Sequence, residues 1–215
     1  MKIGVFDSGI GGEAVARDLQ QHFPHANIIT VSDRANLPYG SKTPEQIIHL
    51  TNTAIQPLLL GSCDVIIIAC NTATTVALPT LRERYPTQRF IGIEPMIKTA
   101  ATLTKHRSIA VCATPATLQS ARYLDLKKQF AASVDICEPD CSNWAAMIEN
   151  NAVNEQQIRS AVELAIANKA DVIVLGCTHY HWIKTLIESI AGDTVIVLEP
   201  TDAIARRITQ LVADQ

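Results

Sequence analysis

The chain has 215 residues, 47% of them hydrophobic and 18% charged, a composition that supports a folded core and excludes a disordered polymer. Eighteen Lys and Arg against 21 Asp and Glu leave a formal net charge of -3 with no basic stripe, which argues against a nucleic-acid partner. Asp7 interrupts the N-terminal apolar run too early for a signal peptide, and no apolar run reaches the roughly 18 residues that a membrane span needs. The expected setting is soluble and cytoplasmic, with no membrane partner.

Apolar runs at residues 3–6, 27–32, 65–69 and 90–93 read as strands, and the pattern returns at 108–113, 134–137, 172–175 and 194–198. Amphipathic stretches at 13–23, 44–60, 74–85, 155–167 and 183–190 read as helices between them. Such alternation predicts an α/β protein with mainly parallel sheets.

The two halves also resemble each other. Asp64-Val65-Ile66-Ile67-Ile68-Ala69-Cys70-Asn71-Thr72 parallels Asp171-Val172-Ile173-Val174-Leu175-Gly176-Cys177-Thr178-His179 at an offset of 177 - 70 = 107. The same offset lays Asp7 over Thr114 at the ends of two other strands, and Glu94-Pro95 is echoed by Glu199-Pro200 at a shift of 105. Three ordered matches predict two similar α/β domains related by a pseudo-two-fold, residues 1–97 with a tail at about 206–215 and residues 98–205. A site is expected in the interdomain cleft, because ligands of parallel sheets bind beyond the carboxyl ends of the strands.

Six cysteines without a signal peptide read as reduced thiols, most of them small buried hydrophobes. Cys137 and Cys141 have the spacing of half a zinc site, but the other half is missing and no metal is expected. Cys70 and Cys177 differ from the rest, standing at equivalent strand ends with polar successors. Core packing is the ordinary reading of one such cysteine, whereas an equivalent pair suits removal of a proton from one face of a small ligand and delivery to the other. A helix beginning after each cysteine would favour the thiolate and bind a substrate carboxylate. His179 is a plausible proton partner of Cys177, and Asn71, Thr72 and Thr178 are suitable carboxylate donors. Asp7 caps the next helix or serves the site. The run Gly9-Ile10-Gly11-Gly12 lacks the spacing of a dinucleotide fingerprint and the lysine of a phosphate loop.

Asp7-Ser8-Gly9-Ile10-Gly11-Gly12, Pro38-Tyr39-Gly40, Cys70-Asn71-Thr72-Ala73, Ile93-Glu94-Pro95 and Gly176-Cys177-Thr178-His179-Tyr180 occur in an order and spacing that resemble the glutamate racemase family of cofactor-independent enzymes. The resemblance spans nearly the whole chain and implies interconversion of L- and D-glutamate by two thiols, without cofactor or metal, supplying D-glutamate for bacterial peptidoglycan. It implies that Cys70 deprotonates D-glutamate with Asp7 as its auxiliary and that Cys177 deprotonates L-glutamate with His179. The third auxiliary carboxylate, eight residues after a cysteine, falls on Glu149 after Cys141. Ser8, Pro38, Tyr39, Gly40, Asn71, Thr72, Thr117 and Thr178 are implied to bind substrate, and a homodimer is the implied assembly. His181-Trp182 replaces the family's usual Pro-Leu, and the chain stops soon after residues 201–211, where many relatives continue. The alternatives are an aspartate or broader amino-acid racemase and a catalytically weak racemase-like binding protein.

Overall fold

The computed structural model describes residues 1–213. The chain divides into two compact units, Met1–Glu94 with the segment from Pro200 onward, and Pro95–Glu199. Positions 214 and 215 of the expected first-domain tail lie outside the described residues. In chain order the first unit builds β1 (Lys2–Asp7), α1 (Gly11–His22), β2 (Asn27–Ser32), α2 (Pro44–Ala54), α3 (Gln56–Leu60), β3 (Val65–Ile68), α4 (Asn71–Arg84) and β4 (Phe90–Gly92). The second builds α5 (Ile97–Leu103), β5 (Ser108–Cys112), α6 (Pro115–Leu118), α7 (Ala121–Phe130), β6 (Asp135–Cys137), α8 (Trp144–Glu149), α9 (Glu155–Ala167), β7 (Val172–Leu175), α10 (Lys184–Ala191) and β8 (Ile196–Leu198). α11 (Thr201–Ala213) then returns to the first unit.

Each unit holds one four-stranded sheet, ordered β2-β1-β3-β4 in the first and β6-β5-β7-β8 in the second, with every pairing parallel. All four residues of β3 are buried because helices cover both faces of the sheet. Ile3, Val5, Val65 and Ile67 turn to α1 and α11, whereas Phe6, Ile66 and Ile68 turn to the side of α2, α3 and α4. This two-residue alternation makes two cores, in which each fully buried large aliphatic side chain stabilises by about 1.5–3 kcal/mol.

The expected helix over 44–60 is two helices. Pro57 has no N–H for a carbonyl four residues back and disfavours helical backbone before it, so α2 stops at Ala54 and α3 starts with Pro57 in its first turn.

The repeat needs a one-residue correction. Ile3 pairs with Val65, and Ile109 pairs with Val172, so the strands β3 and β7 differ by 172 - 65 = 107 but β1 and β5 by 109 - 3 = 106. The backbone agrees, since Ala69 N–H donates to Phe6 O and Gly176 N–H donates to Cys112 O, both at 2.7 Å. The counterpart of Asp7 is therefore Ala113 and not Thr114, which instead matches Ser8.

At the end of the second sheet away from Cys177, the Asp171 carboxylate accepts hydrogen bonds from the Thr104 hydroxyl and from the backbone N–H of Lys105 (2.7 Å) and His106 (3.1 Å). Burial pushes this carboxyl up, but the hydrogen bonds outweigh it and hold it below the ordinary carboxylate range. A depressed native value contributes stability that is present above the unfolded value of about 3.9 and lost as pH falls through the native one. Asp171→Asn should be about 1–3 kcal/mol less stable at neutral pH. Denaturant melts from pH 6 downward should show a shallower acid loss in the variant than in the wild type, and parallel curves would contradict the assignment.

Candidate functional site

In the first unit the strand ends place the polar groups. Asp7 closes β1 and is buried, with Oδ1 accepting the Gly9 N–H at 2.8 Å. Glycine at position 12 is required here, because a Cβ would stand 2.7 Å from the Asp7 Cβ and push α1 away from the end of β1. Cys70 follows β3 in extended conformation at the N-cap position of α4. Its Sγ accepts the Ser8 hydroxyl at 3.2 Å, which joins the two central strand ends. The backbone N–H groups of the first turn of α4 and its positive dipole end begin immediately beyond the thiol, with Asn71 buried and Thr72 half-buried at its first two positions. Thr74, one turn on, donates to Ile68 O at 2.7 Å and accepts from Ile93 N at 3.2 Å, tying α4 to β3 and to the residue after β4.

Pro38 and Gly40 flank Tyr39 at a 3-10 turn, Tyr39–Ser41, with Pro38 at its N-cap position. Tyr39 is buried against Phe6, its ring 6.4 Å away, and its hydroxyl donates to Asp33 Oδ2 at 2.7 Å. Burial pushes the phenol up, the hydrogen bond to Asp33 and its charge add to this, and Cys70 is near enough to contribute. Tyr39 thus remains a neutral donor at physiological pH.

In the second unit Cys177 follows β7, and its Sγ lies 3.7 Å from His179 Nδ1. The opposite ring nitrogen, Nε2, lies 2.7 Å from Glu149 Oε1 at the end of α8, and the side chains of the pair are 6% and 12% exposed. A carboxylate on Nε2 holds the ring proton there and leaves the Nδ1 lone pair toward the thiol, the polarity needed to accept the proton of Cys177. Thr178 is buried beside them, and Thr117 in α6 is buried with its hydroxyl 3.1 Å from that of Thr114. Tyr180 donates to Cys141 O at 2.9 Å and meets Trp144 edge-on at 5.1 Å, which seats the loop after Cys177 against α8.

The two thiol environments differ in a way that the repeat did not predict. Cys70 precedes an α-helix, but Cys177 precedes a 3-10 segment, Thr178–Ile183, and α10 begins only at Lys184. The tighter, poorly aligned 3-10 turns supply a weaker N-terminal field. At Cys177 a buried imidazole and carboxylate stand beside the thiol instead.

Of the other cysteines, Cys63, Cys112 and Cys141 are buried and Cys137 is half-buried on the edge strand β6. Burial pushes the thiols of Cys63 and Cys137 up, and the hydrogen bond with Cys112 together with burial pushes Cys141 up further. Among the described residues no three His, Cys, Asp or Glu side chains are grouped to hold a metal ion. The expected residues gather as Asp7, Ser8, Tyr39, Cys70 and Asn71 at the strand ends of the first unit and as Glu149, Cys177, Thr178 and His179 in the second. Sequence reading overlooked Asp33, Thr74, Trp144 and Tyr180 as supports. Asp33 alone carried a usable signal, as an isolated carboxylate one residue beyond an expected strand.

Residues 12–208 match the family described as Asp/Glu/Hydantoin racemase. A glutamate racemase from Sulfurovum sp. (strain NBC37-1) is 40% identical over 222 aligned residues, which span 100% of this chain and 84% of the relative. Among solved structures, glutamate racemase of Escherichia coli in complex with L-glutamate and the activator UDP-MurNAc-ala matches with a TM-score of 0.90 at 27% identity, covering 99% of this chain and 82% of that one. That of Francisella tularensis subsp. tularensis SCHU S4 in complex with D-glutamate matches with a TM-score of 0.80 at 29% identity, covering 99% and 81%.

Proposed function

The chain belongs to the Asp/Glu/hydantoin racemase family, and from that premise we propose that it interconverts L- and D-glutamate by two-base proton transfer between Cys70 and Cys177. The observation that carries this reading is a cysteine at the equivalent strand end of each unit, each with its own polar partner, Ser8 at 3.2 Å from Cys70 and His179 at 3.7 Å from Cys177. The α-proton of an amino acid is very weakly acidic, and an ordinary thiol with a pKa of about 8.5 is only a few per cent thiolate at pH 7. Each sulfur therefore needs an activating neighbourhood.

For D-glutamate, Cys70 as thiolate removes the α-proton while the Cys177 thiol delivers one to the opposite face. For L-glutamate the roles reverse, and His179, oriented by Glu149, accepts the Cys177 proton to make the thiolate. Asp7 serves Cys70. The first-turn N–H groups of α4, with Asn71 and Thr72, bind the substrate carboxylate, and Ser8, Pro38, Tyr39, Gly40, Thr117 and Thr178 complete the substrate contacts. A racemase of this specificity supplies D-glutamate for peptidoglycan, acting as a homodimer in the bacterial cytoplasm. No helix of the described residues is long and apolar enough to cross a membrane.

The direct test follows the conversion of each enantiomer of glutamate and of aspartate with no added cofactor, before and after dialysis against EDTA. Glutamate should racemise at the same rate in both samples. Activity lost to EDTA and restored by zinc, or confined to aspartate, would overturn the reading.

Glu149→Gln keeps an acceptor for His179 Nε2 but removes the charge that favours the imidazolium. Turnover should fall roughly 10- to 100-fold, a part of what a positioned acid–base group supplies, while KM and Tm change little. An unchanged kcat would remove Glu149 from the proton relay.

A further inference from the structure

The second unit carries an open surface pocket of about 400 Å³ between the loop after β6 and the first turns of α9, lined by exposed polar side chains. Its polar lining is Asp140, Ser142, Asn143, Gln156, Gln157 and Ser160. Leu164 supplies exposed apolar surface, and Trp144 and Ala161 also line it but are buried. Asn154 also lines it, its side-chain carbonyl already accepting the Gln157 N–H at 3.2 Å and its amide N–H₂ remaining a donor. No lysine or arginine is among the described residues of the lining, and Asp140 is its one charged group. Hydrogen bonds from Ser142 hold that carboxyl below the ordinary range, so it is an anion at neutral pH.

This chemistry selects a class of ligand. Side-chain amides present donors and acceptors together and match vicinal hydroxyls. The exposed Leu164 side chain covers C–H groups, and the exposed Asp140 carboxylate, as the one charge of the lining, favours an ammonium and opposes a phosphate. The pocket also touches the proposed proton relay through α8. Trp144 at the start of that helix contacts both the pocket and the Tyr180 ring, and Glu149 at its end holds His179. Trp144 and Glu149 are the first and last residues of this helix, about 7.5 Å apart along its axis.

We propose that this pocket is a second binding site, for a polyhydroxylated amine of hexosamine size, and that its occupation shifts α8 and so tunes the Glu149–His179 pair. Binding at the pocket is independent of the proposed glutamate racemase activity, whereas the tuning rests on it.

The test uses the full chain with Trp182→Phe, which leaves Trp144 as the sole tryptophan. Titration with glucosamine should change Trp144 emission saturably at one site per chain, with glucose binding more weakly and glucose 6-phosphate giving no change. Asp140→Asn should reduce glucosamine to the level of glucose, and Ser160→Leu, which sets a bulkier apolar side chain in the pocket in place of a hydroxyl, should weaken both responses while each variant keeps the parent Tm. Saturating glucosamine should alter kcat for glutamate and leave Asp140→Asn unaffected at the same concentration. No saturable response to glucosamine, or equal affinity in the Asp140→Asn and parent proteins, overturns the site. Saturable binding with unaltered kcat overturns the coupling. Saturable binding by a protein that racemises nothing upholds the site and overturns the racemase reading instead.

Discussion

Cys70→Ser is expected to lose racemisation in both directions yet still exchange the α-proton of L-glutamate with deuterated water, while Cys177→Ser exchanges that of D-glutamate. In the proposed mechanism each direction needs one sulfur as base and the other as acid, so loss of either stops net inversion. The remaining thiolate still removes a proton from its own enantiomer, trades it with solvent and returns deuterium to the same face. Turnover in both variants should fall by at least the roughly 10²–10⁴-fold that a positioned acid–base group contributes. Proton NMR in deuterated water reads both losses and both exchanges. Should the two variants label the same enantiomer, or one remain a full racemase, two-base transfer fails. The unequal surroundings of the thiols add a finer expectation. His179→Asn should hurt the L-to-D direction more in kcat, and the ratio of kcat/KM for the two directions must stay fixed by the equilibrium.

Gly92→Ala should cost both stability and activity, although position 92 bears no functional group. A Cβ there would stand 2.5 Å from Thr74 Cγ2 and 2.5 Å from Leu78 Cδ2, both on α4. The β-branched Thr74 has little rotamer freedom in a helix, so α4 must yield. Overpacking of this kind costs about 1–3 kcal/mol, and at this chain length roughly 2–4 °C of Tm accompanies each kcal/mol, a loss of about 2–12 °C. Because Cys70 stands at the N-cap position of the same helix, kcat should fall as well. Adding Thr74→Ser, which removes the clashing methyl and keeps the hydroxyl that bonds Ile68 O and Ile93 N, should restore part of both losses. A double variant no better than Gly92→Ala would place the strain elsewhere.

The strands were legible in the sequence because helices cover both sheet faces, leaving short continuous apolar runs between polar ends. The same double burial concealed the register. All five residues of β5 are buried, so a slip of one position leaves the pattern apolar in either alignment, and Asp7 was laid over Thr114 instead of Ala113. Cys70 and Ser8 were readable as strand-end residues, but their hydrogen bond joins positions 62 apart and emerges only from the adjacency of β1 and β3. Glu149 was named through family resemblance alone. Its pairing with His179 depends on the path of α8, which Trp144 and Tyr180 fix by packing across 36 residues of chain. The missing α-helix after Cys177 was equally hidden, since residues 178–183 carry no breaker that separates 3-10 from α backbone.

The chain leaves the first unit at Glu94-Pro95 and re-enters it at Glu199-Pro200, so the second unit is an uninterrupted insertion and the first is assembled from two distant pieces. α11 brings Ile204, Ala205 and Ile208 to the same core face as Val15, Leu19, Val65 and Ile67. On the ribosome that face stays uncovered while the 199 - 95 + 1 = 105 residues of the insertion are made, about 5–20 s at roughly 5–20 residues per second. The unit synthesised first is thus the last to be completed, and the nascent protein carries an open greasy surface for about half of its synthesis.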